Sequence, residues 1–124
     1  MTIGVGTDIL RIERIRNVLE DDSTSFIKKT YTVRECEQAE LRPNPLMYYA
    51  ARFAAKEAVF KSLGIDGSFI NLNEIEILNN ELGQPFVALY GKIKSTAEKK
   101  GVSHINISLS YETDYALAFA IAEK

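Results

Sequence analysis

Along the first ten residues one set of positions is apolar or β-branched and the other small or charged. Ile3, Val5 and Thr7 interleave with Gly4, Gly6 and Asp8, and then Ile12, Ile15 and Leu19 recur at helical spacing. The change of period predicts an N-terminal strand that hands over to a helix, with Asp8 at the junction. A second helix is predicted around residues 26–29. Thr32 followed by Glu35 has the capping-box spacing of a third, which ends before Pro43. Asn44 and Pro45 suit a cap and a first helical position, and Gly64 suits a C-terminal stop, so Pro45–Leu63 is predicted as one long helix.

Beyond the long helix the period returns to two. Ile75 and Ile77 alternate with Glu74 and Glu76, and FVALY at 86–90 follows the turn-rich NNELGQP, the pattern of a hairpin. Residues 92–100 form a polar-faced helix that stops at Gly101. In HINISLS, Ile105, Ile107 and Leu109 alternate with His104, Asn106, Ser108 and Ser110, a strand with one wet face. YALAFAIA at 115–122 is apolar on both faces and is placed as the central strand. With no internal repeat or linker, residues 1–124 read as a single α+β domain, an antiparallel β-sheet packed against a long helix.

Composition narrows the function classes. A chain of 124 residues with 46% hydrophobic content can bury one core without disulfide or metal staples. Its formal net charge of −2 gives no global attraction to nucleic acid or an anionic membrane, so any anion site is local. Cys36 is the only cysteine, the N-terminus lacks a basic signal region, and the longest apolar run is far too short to span a bilayer. A soluble cytoplasmic protein is expected.

The long helix holds the most informative chemistry. In RFAAKEAVFKSLG, residues 52–64, Glu57 lies near the direction of Leu46, Phe53 and Phe60, with Lys61 one turn on. A carboxylate in that apolar sector either carries a desolvation cost or is compensated by a cation. The plain alternative is an ordinary Glu–Lys pair at i, i+4. Arg52 and Lys56 add a second basic pair, and a mostly cationic group on an apolar rod suits a phosphate and its metal. Asp8 reads from position alone as a helix N-cap. Gly4 and Gly6 share its face, which is therefore open to a ligand or to another backbone. Arg11, Arg14 and Arg16 form either a solvated face or a docking patch for an acidic partner. No P-loop, Ser/His/Asp arrangement or dinucleotide fingerprint is present.

Taken in order, GVGTDILRIERI, RFAAKEAVFKSLG, NELGQP and the closing SLSYETDYALAFAIAEK resemble the holo-acyl-carrier-protein synthase family over essentially the whole chain. The resemblance implies a phosphopantetheinyl transferase fold. It also implies transfer of the 4′-phosphopantetheine arm of coenzyme A to a serine of apo acyl carrier protein, with release of adenosine 3′,5′-bisphosphate, in fatty acid biosynthesis. It implies Mg²⁺ held by Asp8 and Glu57, with Lys61 as a catalytic cation at the phosphates. Coenzyme A contacts are implied at Arg52, Lys61, Gly64, Pro85 and His104, and carrier docking at Arg14 helped by Arg11. The chain departs from the family at Tyr111 and Asn106, where histidines are frequent, so no general base is assigned. A homotrimer with active sites shared between subunits is expected, both from the family and because one small domain has little room to bury so long a ligand. The competing readings are a non-catalytic coenzyme A or nucleotide-phosphate binding module, with Arg52, Lys56 and Lys61 holding phosphates, and a metal-dependent phosphohydrolase.

Overall fold

The computed structural model describes residues 1–67 and 71–124. The strand β1 (Thr2–Arg11) leads directly into α1 (Ile12–Thr30), followed by α2 (Val33–Glu40) and the long α3 (Pro45–Leu63). A hairpin of β2 (Ile75–Asn79) and β3 (Pro85–Leu89), the helix α4 (Gly91–Lys99), and the strands β4 (His104–Tyr111) and β5 (Tyr115–Glu123) complete the described chain. The predicted antiparallel sheet is in fact two: a three-stranded sheet in the order β1-β5-β4, with β5 central, and the separate β2-β3 hairpin.

α3 packs on β1 and β5, and small residues make that contact close. On β5 the alternation is strict: Ala116, Ala118, Ala120 and Ala122 are at most 1% exposed, while Leu117 and Phe119 on the opposite face are 45% and 39% exposed. α3 contributes Ala54, Ala55 and Ala58 to the same core. A Cβ on Gly4 would overlap the carbonyl oxygen of Ser62, and one on Gly6 that of Ala58, so both glycines admit the backbone of α3. The open strand face therefore receives a helix rather than a ligand. Leu63 is followed by Gly64 at φ 63°, the left-handed stop expected for a helix C-terminus.

The reason for two sheets lies along the edge of β2, whose outward backbone groups are satisfied by side chains instead of another strand. Lys56 donates to the Ile75 carbonyl, Arg52 Nε donates to the Ile77 carbonyl at 3.0 Å, and Ile77 N–H donates to Glu35 Oε2 at 2.8 Å. Asn79 N–H donates to Gln38 Oε1 at 3.3 Å. α2 and α3 thus zip the hairpin onto the helix. Lys56 and Glu35 also form an ion pair of 2.7 Å in which both side chains are fully buried. The predicted capping box of Thr32 and Glu35 is present, so one carboxylate starts α2, pairs with Lys56 and holds β2.

Two boundaries differ from the sequence expectation. β1 continues to Arg11, so Asp8 is an interior strand residue and not a helix N-cap; its side chain points at α3 because it shares the face of Gly4 and Gly6. The helix expected around 26–29 is the second half of α1, broken at Asp22 (φ −154°, ψ 69°), whose Oδ1 accepts the Ser25 N–H at 3.4 Å. Asn44 precedes α3 without a side-chain cap bond, leaving Pro45 as the effective start signal.

Candidate active site

Close approach of β1 to α3 brings Asp8 to Glu57 and Lys61. Lys61 Nζ donates to the Thr7 carbonyl at 2.9 Å and lies 3.3 Å from Asp8 Oδ1. The ion pair of Lys61 is therefore made across to the strand, not with Glu57 along the helix. Burial raises the Asp8 carboxyl above its ordinary value, against the opposing hydrogen bond and charge of Lys61 and the charge of Arg14. Burial raises Glu57 as well, the nearby charge of Asp8 raises it further, and Lys61 opposes both.

Two partly buried acids, each raised chiefly by burial and Glu57 also by the charge of Asp8, stand with one lysine beside them and form a pair short of positive charge. Their hard oxygen donors fit Mg²⁺, which takes one or two protein carboxylates and completes its shell with phosphate oxygens and water. Among the described residues no group of three or more His, Cys, Asp or Glu side chains could hold a metal by itself. A metal here would therefore need a ligand's oxygens.

Where α3 begins, at the other end of the helix from Lys61, lies a cleft of 610 Å³ between α3, the tip of the β2-β3 hairpin and β4. Tyr48, Arg52, Asn79, Gly83, Pro85 and Tyr111 are among its lining residues. The Tyr48 ring carries the Arg52 guanidinium 4.1 Å from its centroid and that of Arg42 at 5.1 Å. Tyr48 and Arg52 are buried in the cleft wall, and the cation exposed there is Arg42, stacked on the Tyr48 ring, which suits a phosphate-bearing group. Arg52 and Glu57 are five residues apart on one helix, roughly 7.5 Å of rise.

The sequence-derived residues fall into separate places. Arg52 and Pro85 border the cleft. Lys56 does not face it: its side chain is wholly buried on Glu35, Leu72 and Ile75, so the phosphate-holding role given to it in the binding-module reading is excluded by geometry. Gly64 ends α3, and its carbonyl accepts from Lys100 Nζ at 3.4 Å. His104 lies outside the cleft lining, with Nε2 2.8 Å from Asn106 Oδ1, and Asn106 donates to Glu123. Arg14 is near enough for its charge to act on Asp8, while Arg11 donates to Tyr115 Oη at 3.2 Å.

Tyr48, Arg42 and Asn79 were not singled out in the sequence. Tyr48 stands one turn before Arg52 on the predicted helix, a signal that was available. Asn79 reaches the cleft only through tertiary structure.

The site suits a phosphate-bearing ligand, and the likeness to known proteins defines the class as a transferase. The model of the ACPS family, the 4′-phosphopantetheinyl transferase superfamily, matches residues 4–120. The holo-[acyl-carrier-protein] synthase of Caldanaerobacter subterraneus subsp. tengcongensis is 42% identical over 122 residues, 98% of this chain and 95% of that protein. The crystal structure of holo-[acyl-carrier-protein] synthase from Neisseria meningitidis is 34% identical and superposes with a TM-score of 0.90 over 100% of both chains. That of the Bacillus anthracis holo-(acyl-carrier-protein) synthase in complex with CoA (3′,5′-ADP) is 26% identical, with a TM-score of 0.80 over 98% of this chain and 96% of that one. The chain belongs to the 4′-phosphopantetheinyl transferase superfamily.

Proposed function

We propose that the protein transfers the 4′-phosphopantetheine arm of coenzyme A to a serine of apo acyl carrier protein, in a Mg²⁺-dependent reaction that serves fatty acid biosynthesis in the cytoplasm. The observation that carries this reading is the meeting of Asp8 on β1 with Glu57 and Lys61 on α3, the helix whose other end borders the aromatic and cationic cleft. The coenzyme complex of the Bacillus anthracis relative supports it. The lone Cys36 agrees with a reducing compartment. Among the described residues no helix is long and apolar enough to cross a membrane.

In the transfer the serine oxygen attacks the phosphorus that bears pantetheine. The diphosphate P–O bond breaks, adenosine 3′,5′-bisphosphate leaves, and the serine proton is released. Asp8 and Glu57 would hold Mg²⁺, which supplies charge neutralisation at the diphosphate and acidifies an oxygen bound to it. Lys61, fixed by Thr7 and Asp8, stands ready to meet charge on the leaving phosphate. Arg52 and Pro85 would flank the nucleotide end of the coenzyme, and Lys61 and Gly64 its phosphate and pantetheine side. Arg14, with Arg11 as helper, would receive an acidic helix of the carrier beside Asp8.

A homotrimer with shared sites is part of the same proposal. Val5, Ile9, Leu117 and Phe119 leave one face of the three-stranded sheet apolar and 39–66% exposed. Such a face fits a subunit interface. On it His104 would reach a neighbouring subunit's coenzyme rather than its own.

Incubation with coenzyme A, Mg²⁺ and apo acyl carrier protein should add the mass of one phosphopantetheine to the carrier. No mass shift with several different carriers would overturn the proposal. A non-catalytic binding module would instead bind coenzyme A independently of metal, and a phosphohydrolase would release product without an acceptor.

A further inference from the structure

Asn79 is the last residue of β2, and its side chain joins α3 to the hairpin tip. Its Oδ1 accepts from the Arg52 guanidinium, its Nδ2 donates to the Gly83 carbonyl at 3.0 Å, and its own N–H is held by Gln38 at 3.3 Å. Both ends of the amide are therefore used, with one partner on the helix and one in the turn. The turn itself is shaped by Asn80, whose Oδ1 accepts the N–H groups of Leu82 and Gln84, each at 2.9 Å. Asn80 shapes the turn and Asn79 mounts it. Asn79 thus ties the cleft wall of Gly83 and Pro85 directly to α3.

We infer that Asn79 is a positioning residue for the nucleotide end of the ligand. By fixing Gly83 and Pro85 relative to Arg52 it sets the separation of the two cleft walls, and so governs affinity for the nucleotide while leaving the reacting diphosphate and the carrier untouched. A cleft whose two walls come from different elements needs such a strut, because each wall otherwise moves with its own element. Asn79 lines the cleft as well as bracing it. The inference rests on assignment of that cleft to the nucleotide end of coenzyme A.

The test uses Asn79→Ala and a ligand that carries only the nucleotide end, adenosine 3′,5′-bisphosphate, titrated by calorimetry. The expected result is a Kd raised about three- to tenfold, the size of one or two lost hydrogen bonds, with KM for coenzyme A raised alike. KM for the carrier and kcat should stay within about twofold of wild type. Ile93→Val, on the buried face of α4, lowers Tm without touching the cleft and should leave both the Kd and the KM for coenzyme A unchanged. Asn79→Asp keeps the acceptor for Arg52 but loses the donor to Gly83, and should fall between Ala and wild type. The inference is overturned if Asn79→Ala binds the bisphosphate as wild type does, or if KM for coenzyme A and carrier rise together. A wild-type protein that transfers the group yet binds no bisphosphate would overturn the cleft assignment along with it.

Discussion

Lys61 and Asp8 meet across the joint between α3 and β1, Nζ to Oδ1 at 3.3 Å, and the same ammonium is anchored on the Thr7 carbonyl at 2.9 Å. The anchoring aims a half-exposed cation at one place, which is what stabilisation of a leaving phosphate requires. Lys61→Gln is therefore expected to lower kcat by about 10²- to 10³-fold, the effect of losing one preorganised donor. Its effect on unfolding should stay under about 1 kcal/mol, because a pair this exposed is screened by water. Steady-state kinetics beside urea unfolding checks both, and a variant with wild-type kcat would remove Lys61 from the chemistry.

Glu57 supports a prediction of opposite signs for activity and stability. Burial and the charge of Asp8 raise its carboxyl above 4.5, so its favourable contribution is complete below that value and is lost as pH rises through the raised folded value. Ionising Glu57 therefore costs stability, chiefly through its burial and then through the charge of Asp8. Glu57→Gln is expected to abolish transfer yet to be slightly more stable than wild type at pH 7, by less than about 1 kcal/mol after solvent screening, with the difference gone near pH 4. Millimolar Mg²⁺ with coenzyme A should raise the wild-type Tm and leave that of the variant in place. A variant less stable than wild type at pH 7 would contradict the repulsive pair.

Much of this was legible in the chain. Pro45 and the Gly64 stop bounded α3, alternation defined β4, and an apolar run with both faces apolar placed β5 at the centre of the sheet. The acidic pair was legible only through family resemblance, since no local rule places Asp8 opposite Glu57; their meeting depends on Gly4 and Gly6 admitting the helix backbone. Charge pattern misled at Lys56, because a lysine on a helix looks the same in sequence whether it faces a ligand or a buried glutamate twenty-one residues upstream. The contacts of Asn79 were illegible for the same reason, whereas the break at Asp22 is local, with Asp22 Oδ1 accepting the Ser25 N–H where the expected 26–29 helix starts anew.

Lys56 supplies the next test. Lys56→Met leaves the Glu35 carboxylate buried without its cation and is expected to destabilise the fold by about 3–5 kcal/mol in urea unfolding. Adding Glu35→Gln should restore part of that loss, because the uncompensated charge is then gone. A Lys56→Met protein as stable as wild type, but with a raised KM for coenzyme A, would return this lysine to the ligand.

The outer face of the three-stranded sheet gives the last prediction. β5 runs through its centre with Leu117 paired to Ile9 and Phe119 to Thr7 on β1, and to Ser110 and Ser108 on β4. An apolar stripe is thus flanked on one side by Ile9 and Thr7 and on the other by two serine hydroxyls. On an isolated chain this stripe stays wet, whereas copies related by a symmetry axis would bury it with the serines as a polar rim. Leu117→Glu puts a carboxylate at the centre of each such interface, where it is desolvated and close to its symmetry mates, so association is opposed twice. The variant is expected to sediment as a folded monomer and, if sites are shared between subunits, to lose most of its transfer activity. Val33→Glu, a charge on a 75% exposed side chain of α2, should leave mass and activity as they are. Sedimentation velocity with parallel transfer assays decides the matter: a wild-type chain that is monomeric at full specific activity rules out the trimer.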